Sequence, residues 1–437
     1  MPNPRVFCNS PWYELHIYWD GSLGVCCQES HRLYDDQEAH GYNIKNMTIS
    51  QWYNSHPVRQ MRLDMLNSSG LTSCSRCYSE EAIGHTSRRH KANQKSVIFT
   101  RSNFPDSYLQ SPHAAVFEGS RADGHTERLP VDLHVDLGNH CNLACKMCHA
   151  RASSKIASQL HKWGELEDRT MLGTDWTKDE PTWQRFLKEV KDIGIKNIHF
   201  MGGETMLTKR FHDFLDHMID VGHTDINISF VTNGTVFDRA LIHKLKKFGR
   251  IGVEVSIESL SSSNAYVRQG TDTQLVLNNI RQYREHEDQQ LSVAIRSAVS
   301  SLTIGSYHTL LSYCLQKGLV IKPLIVERPE FMQVRHLPTE VKQRYLDHYH
   351  RLHEELDGQD IDNDFNESDQ SQYVRIVKLA LEQARGLLRQ PCTDQSEAML
   401  SQLVAHCAKW DKVYGLQATA VYPELVELFE RHRYVGI

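Results

Sequence analysis

The segment "HCNLACKMCHA", residues 140–150, places Cys141, Cys145 and Cys148 at C-x3-C-x2-C spacing. Thiolates at this density bind zinc or the iron of iron–sulfur clusters. A zinc site asks for a fourth donor, and His140 or His149 could supply it. A cubane cluster held by three thiolates instead leaves one iron open, where a ligand can coordinate. The loop is short enough for its three sulfurs to converge on one centre. A second group of thiols lies near the amino terminus: Cys8, Cys26, Cys27, Cys74 and Cys77. "YWDGSLGVCC" reads as two short strands about a turn at Asp20-Gly21, which would bring Cys8 and Cys26 together. "SCSRCYS" then offers Cys74 and Cys77 to close a four-sulfur site, with Cys27 as an alternative to Cys26. Spacing alone fits tetrahedral zinc as well as iron–sulfur. Cys314, Cys392 and Cys407 stand in helical-looking sequence and are expected to be buried as small hydrophobes.

Elements that could position the three-cysteine loop run over residues 131–327. In "VDLHVDLGN", Leu133, Val135 and Leu137 alternate with Asp132, His134 and Asp136, the period of a strand. "KNIHFMGGE", "INISFVTNGT", "IGVEVSIES", "LSVAIRSAVS" and "LVIKPLIVERPE" are similarly rich in β-branched residues. Amphipathic stretches separate most of them; one sets Phe211, Phe214, Leu215 and Met218 on a single helical face. Strands alternating with helices imply a parallel sheet with right-handed crossovers. Such folds bind ligands at the carboxyl ends of their strands. The cysteine loop, "GGET", "TNGT" and "SIES" all fall there.

The remaining sequence sets the frame. The expected boundaries are a cysteine-rich domain at 1–90, a linker at 91–130, the α/β core at 131–330 and a helical region at 331–437. The acidic, Asn-rich "DGQDIDNDFNESDQ" reads as an exposed loop. The net charge of −5 is small for 437 residues, and "RRHK" at 88–91 is expected to be a solvated face, so there is no clear nucleic-acid surface. No apolar run reaches the ~18 residues of a membrane helix, and "MPNPRVFCNS" lacks a signal-peptide core. The expected location is the reducing cytoplasm, where thiols stay free unless metal takes them.

Taken together, these motifs resemble the radical S-adenosylmethionine (radical SAM) enzymes. The resemblance rests on Cys141, Cys145 and Cys148 after the first strand, Gly202-Gly203-Glu204 after the second, Thr232–Thr235 after the third and Val255–Ser259 after the fourth. It covers roughly residues 131–330 and implies a partial (β/α)6 barrel. It also implies a 4Fe-4S cluster on the three cysteines, whose open iron is chelated by S-adenosylmethionine. Reductive cleavage then yields a 5′-deoxyadenosyl radical that abstracts a substrate hydrogen. By the same resemblance Gly202, Gly203 and Glu204 serve the methionine amine and its loop, Ser256 and Glu258 reach the ribose or methionine end, and Arg268 meets the carboxylate. Met147 stands where the family often has an aromatic residue; a soft apolar side chain can still pack against adenine.

Residues 5–80 resemble the auxiliary-cluster domains called SPASM and Twitch, with "YNIKNMTISQWYNSHPVRQMRLDML" between the cysteine halves. Such domains usually follow the core; here it precedes. The resemblance implies one auxiliary 4Fe-4S cluster on Cys8, Cys26, Cys74 and Cys77. The expected substrate is a peptide or protein, with a small molecule such as a sugar or nucleoside as the alternative. A flavodoxin or ferredoxin is the expected electron donor. A non-catalytic zinc or iron–sulfur scaffold is the reading from another class. No catalytic acid or base is assigned; Glu254, Tyr266 and Arg296 are nearby candidates.

Overall fold

The computed structural model describes residues 5–27, 42–82, 86–95, 114–173, 175–357 and 369–435. Its strands are β1 (Glu14–Ile17), β2 (Leu23–Gly24), β3 (Asp132–Asp136), β4 (Ala144–Cys145), β5 (Asn197–Met201), β6 (Asn227–Thr232), β7 (Ile251–Ser256), β8 (Arg268–Gln269), β9 (Leu291–Val299) and β10 (Val320–Ile325). The chain divides into two compact units. One comprises Met1–His140, Glu167–Phe230 and His243–Ile251; the other comprises Cys141–Leu166, Val231–Ile242 and Gly252–Ile437.

In the first unit the strand order is β6-β5-β3-β1-β2. All neighbours are parallel except the β1–β2 hairpin. The hairpin expected around Asp20-Gly21 is present: Gly21 N–H donates to the Tyr18 carbonyl at 2.9 Å, and Gly21 takes φ +86°. Glycine adopts that conformation without a Cβ penalty. The helix Glu180–Ile193 begins at Asp179, whose carboxylate accepts from Thr182 N–H, and ends at Gly194 with φ +72°. It buries Trp183, Phe186, Leu187 and Val190, each contributing about 1.5–3 kcal/mol. On β5, Phe200 packs edge-on against Phe211 and Phe214 of the following helix, Lys209–Asp220.

One expectation is corrected here, and two of the expected regions contain elements that the sequence did not show. The hairpin of the cysteine-rich segment does not stand apart from the α/β sheet. β1 pairs in parallel with β3, Glu14 opposite Asp132 and His16 opposite His134. A pairing between residues more than a hundred positions apart leaves no local sequence signal. The stretch expected as a linker at 91–130 contains part of the helix Arg88–Lys95 and the helix Ala114–Gly119. Phe117 of the latter is fully buried against Phe7 and Trp12, and Trp12 Nε1 donates to Ser120 Oγ. One aromatic anchor in a six-residue helix is too little to show a period. "RRHK" is not a solvated face: Arg89 is 2% exposed and pairs with Glu81, while Arg88 pairs with buried Glu14 at 2.6 Å.

In the second unit β10, β9 and β7 are consecutive neighbours. The carboxyl-terminal helices are Thr339–Asp357, Asp369–Leu388, Ser396–Tyr414 and Val426–Arg431. The acidic loop expected between the first two lies largely outside the described residues. Cys314 and Cys407 are buried as expected, but Cys392 is exposed. It follows the end of a helix, in "QPCTD", and its sulfur donates to the Leu337 carbonyl at 3.4 Å. No helix among the described residues is long and apolar enough to cross a membrane.

Candidate active site

In the second unit, the three-cysteine loop is pinned at both ends. β4 pairs antiparallel with β8, Cys145 opposite Arg268. Cys141 N–H donates to Ser154 Oγ, and Ser153 Oγ donates to the Leu143 carbonyl at 2.7 Å. Ser153 also caps the helix Ser154–Lys162 by accepting from Ile156 N–H, a role suited to a short hydroxyl side chain. The sulfurs sit among donors. Cys141 Sγ faces Leu143 N–H at 3.5 Å and Asn233 Nδ2 at 4.0 Å; Cys145 Sγ faces Arg268 Nη1 at 3.9 Å.

Burial, then the charge of Cys141, pushes the Cys148 thiol up to about 11. Burial pushes Cys145 well above the ordinary thiol range, with Cys148 and Cys141 adding to the effect and Arg268 opposing it. The three thiols therefore act on one another electrostatically. A metal that takes them as thiolates must displace their protons.

Arg268 is held by Glu258 through two nitrogen–oxygen contacts, and Glu258 also accepts from Ala298 N–H at 3.2 Å. Burial opposes the charge of Arg268, but Glu258 outweighs it and holds the guanidinium protonated. Ser256, two residues earlier at the end of β7, is 6% exposed. The "TNGT" loop closes on the cysteine loop: Asn233 Nδ2 donates to Asn142 Oδ1 at 2.7 Å, and Asn142 Nδ2 donates to Thr235 Oγ1 at 3.0 Å. Glu254 binds both Arg296 and Lys322, at 2.6 and 2.7 Å, so two of the nearby candidates are engaged with each other.

In the first unit, Gly202-Gly203-Glu204 lies against Gly138-Asn139-His140, the backbone directly preceding Cys141. Gly203 N–H donates to the Gly138 carbonyl, and Glu204 N–H donates to the His140 carbonyl at 2.6 Å. A Cβ on Gly203 would fall 1.9 Å from the His140 oxygen. Both glycines thus have a close backbone partner within the protein itself. Glu204 is 1% exposed and caps the turn Thr205–Leu207 through Met206 N–H.

Also in the first unit, Cys8, Cys26, Cys74 and Cys77 line one pocket together with Arg88 and Arg89. Burial raises the Cys8 thiol and pushes Cys77 up to about 11. Among the described residues no three His, Cys, Asp or Glu side chains are gathered tightly enough to hold a single metal ion; the four thiols share a cavity rather than a point.

The sequence pattern of the Radical SAM superfamily matches residues 135–293. Residues 135–293 therefore form a radical SAM domain. An iron-sulfur cluster-binding (SPASM) domain matches residues 8–78, ahead of the radical SAM core. The PqqA peptide cyclase of Bradyrhizobium diazoefficiens is 26% identical over 150 residues, 34% of this chain and 34% of that protein. The probable GTP 3′,8-cyclase of Methanococcus aeolicus is 26% identical over 203 residues, 46% of this chain and 60% of that protein. The chain thus spans about a third of the length of the former and 60% of the latter. The crystal structure of Streptococcus suis SuiB bound to precursor peptide SuiA is 16% identical, with a TM-score of 0.37, covering 64% of this chain and 60% of that one. That likeness is too slight to carry an argument.

The radical SAM core implies a 4Fe-4S cluster and S-adenosylmethionine, and the SPASM domain implies auxiliary iron–sulfur ligation. The residues present fit these groups: three electrostatically linked thiols with N–H donors at two sulfurs in one place, four thiols around one cavity in the other. Hydrogen bonds to cluster sulfurs are a known lever on reduction potential.

One feature of the first unit's sheet is not anticipated from the sequence. His16, His134, His199 and Ser229 are register partners across β1, β3, β5 and β6. His134 and His199 rings stand 5.1 Å apart, and His199 Nδ1 is 2.8 Å from Ser229 Oγ. Arg88, from the wall of the auxiliary cavity, reaches His134 Nε2 at 3.3 Å. The signal was available as polar residues at period two in "LHVD", "NIHFM" and "NISF".

Proposed function

We propose that the chain is an enzyme that reductively cleaves S-adenosylmethionine and uses the resulting 5′-deoxyadenosyl radical to abstract hydrogen from a peptide or protein. Cys141, Cys145 and Cys148 would hold the 4Fe-4S cluster, and Cys8, Cys26, Cys74 and Cys77 an auxiliary one. The cluster, when bound, supplies the electron that breaks the sulfonium carbon–sulfur bond. The protein orients and excludes water. Arg268 carries a fixed positive charge beside Cys145, suited to a carboxylate. Glu258 fixes the guanidinium plane. Glu204 and its glycines set the backbone ahead of Cys141, and Ser256 supplies a buried hydroxyl. The domain organisation proposed with this reading is an auxiliary domain at 1–90, a connecting stretch at 91–130, the core at 131–330 and a helical region at 331–437.

The observation carrying this reading is geometric: the three-cysteine loop pairs Cys145 opposite Arg268, whose Nη1 lies 3.9 Å from Cys145 Sγ and whose guanidinium is held by buried Glu258. The test is anaerobic reconstitution with iron and sulfide, reduction, and chromatographic measurement of 5′-deoxyadenosine. Production by the native chain and none by the triple Cys141, Cys145, Cys148→Ala variant is the expected result. Cleavage retained by that variant refutes the site. The peptide substrate is supported by the relatives named as PqqA peptide cyclases. The relative named as a probable GTP 3′,8-cyclase favours a second reading, a small-molecule substrate. Short peptides encoded beside this gene, assayed against nucleotides and sugars for mass change, separate the two. Flavodoxin or ferredoxin is the proposed electron donor.

A further inference from the structure

Lys146, between Cys145 and Met147 of the cysteine loop, has a side chain 0% exposed. A lysine at such a position would ordinarily reach solvent; burying an ammonium costs several kcal/mol unless it is paired and hydrogen-bonded. Its Nζ lies 3.1 Å from Asp411 Oδ1 and 4.2 Å from the Tyr266 ring centroid, and Asp411 is also 0% exposed. The other oxygen of Asp411 accepts from Tyr266 Oη at 3.1 Å, Tyr434 Oη at 2.5 Å and Ala418 N–H at 2.9 Å. The carboxylate is thereby saturated with donors from three further segments.

The backbone of Lys146 is fixed as well. Its N–H donates to the Val267 carbonyl at 2.8 Å, and its carbonyl lies 3.2 Å from His406 Nε2. His406 and Asp411 both belong to the helix Ser396–Tyr414. That helix also meets the segment that ends the helix Ser154–Lys162, through Trp410 against its C-cap Trp163 and through Lys409 paired with Glu165. One carboxyl-terminal helix therefore grips the side chain and the carbonyl of the residue lying between two cluster cysteines. Apolar residues could fill the same space without the desolvation cost, so the pair is weak evidence for added stability.

We infer that the Lys146–Asp411 pair is a latch by which the helix Ser396–Tyr414 sets the position of the cysteine loop, making Lys146 and Asp411 positioning residues for the centre that loop holds. The inference rests on the proposed cluster site at Cys141, Cys145 and Cys148. The full chain is purified without oxygen, reconstituted and reduced. Iron content, the electron paramagnetic resonance spectrum and its change on titrating S-adenosylmethionine are then followed beside thermal unfolding.

Asp411→Asn is expected to alter the spectrum and weaken S-adenosylmethionine binding about tenfold, the scale seen when groups supporting metal ligands are removed. Lys146→Met is expected to do the same, and the double variant Lys146→Met/Asp411→Leu to lose less than the sum of the two. Should Asp411→Asn not fold, Tyr434→Phe removes one donor from the same carboxylate without opening a void, and should shift the spectrum in the same direction. A spectrum and affinity unchanged in the folded variants, with only the melting temperature lowered, overturns the latch; so do losses that simply add. A change in the spectrum on adding S-adenosylmethionine that survives in the triple Cys141, Cys145, Cys148→Ala variant sinks the underlying site assignment instead, whatever Asp411 does.

Discussion

Arg268 and Glu258 meet through two nitrogen–oxygen contacts, with the glutamate fully buried and the guanidinium turned toward Cys145 Sγ. Removing one partner of such a pair strands the other's charge. Glu258→Gln should therefore destabilise the chain by about 3–5 kcal/mol, read as a lowered denaturation midpoint. Arg268→Lys keeps the charge but loses the planar fork, and should weaken S-adenosylmethionine binding more than it lowers stability. Equal effects on both readouts would show that Arg268 serves the fold alone.

The second prediction concerns Gly203. An alanine Cβ would lie 1.9 Å from the His140 oxygen and 2.7 Å from the Asn139 carbonyl carbon. Both are backbone atoms, so no side chain can rotate away. Gly203→Ala should cost more than the ~1–3 kcal/mol of ordinary overpacking, with loss of soluble protein or of iron at the neighbouring cysteine loop. Gly119→Ala, whose Cβ meets nothing within 4 Å, should match the native chain in both. A Gly203→Ala chain with full iron would show that the 138–140 backbone can yield.

Much of this is legible in the sequence. Strands β3, β5, β6, β7, β9 and β10 announced themselves by β-branched runs and period-two polarity, and the motif residues fell at their ends because parallel sheets expose their carboxyl edges. What stayed hidden depends on distant partners. Nothing local marks β1 as a neighbour of β3. Arg88 and Arg89 looked solvated because a run of charges is judged by itself, whereas Glu14 and Glu81 bury them. Lys146 drew no notice for the same reason: its partner Asp411 is 265 residues away. The two glycines were read for their freedom toward a ligand, and the structure adds a steric demand from His140 that only the folded backbone creates.

The ligand choice between Cys26 and Cys27 is open to a direct test. Cys26 lines the cavity shared with Cys8, Cys74 and Cys77, and Cys27 is not among the residues lining it. Cys26→Ser should lose about half the iron of the reconstituted chain, the share of one cluster in two. Cys27→Ser should keep it. Iron lost by Cys27→Ser but not by Cys26→Ser would reverse the assignment, and iron unchanged in a quadruple Cys8, Cys26, Cys74, Cys77→Ala chain would remove the auxiliary cluster altogether.

The last prediction follows from His406. Burial first, then the Lys146 charge, lowers it to about 4, with Lys409 acting in the same direction and Asp411 against. An unfolded histidine titrates near 6.5. Between pH 6.5 and 4 the unfolded chain therefore binds the extra proton and the folded chain does not. Stability rises with pH across that window and is lost as pH falls through it. Because His406 is half-buried, the contribution is about 1–2 kcal/mol rather than the full shift. His406→Gln, which can still donate to the Lys146 carbonyl, should flatten this part of the stability curve while leaving stability at pH 8 near that of the native chain. Denaturant midpoints at pH 5 and pH 8 measure both, and a slope unchanged by the substitution would place the acid sensitivity elsewhere.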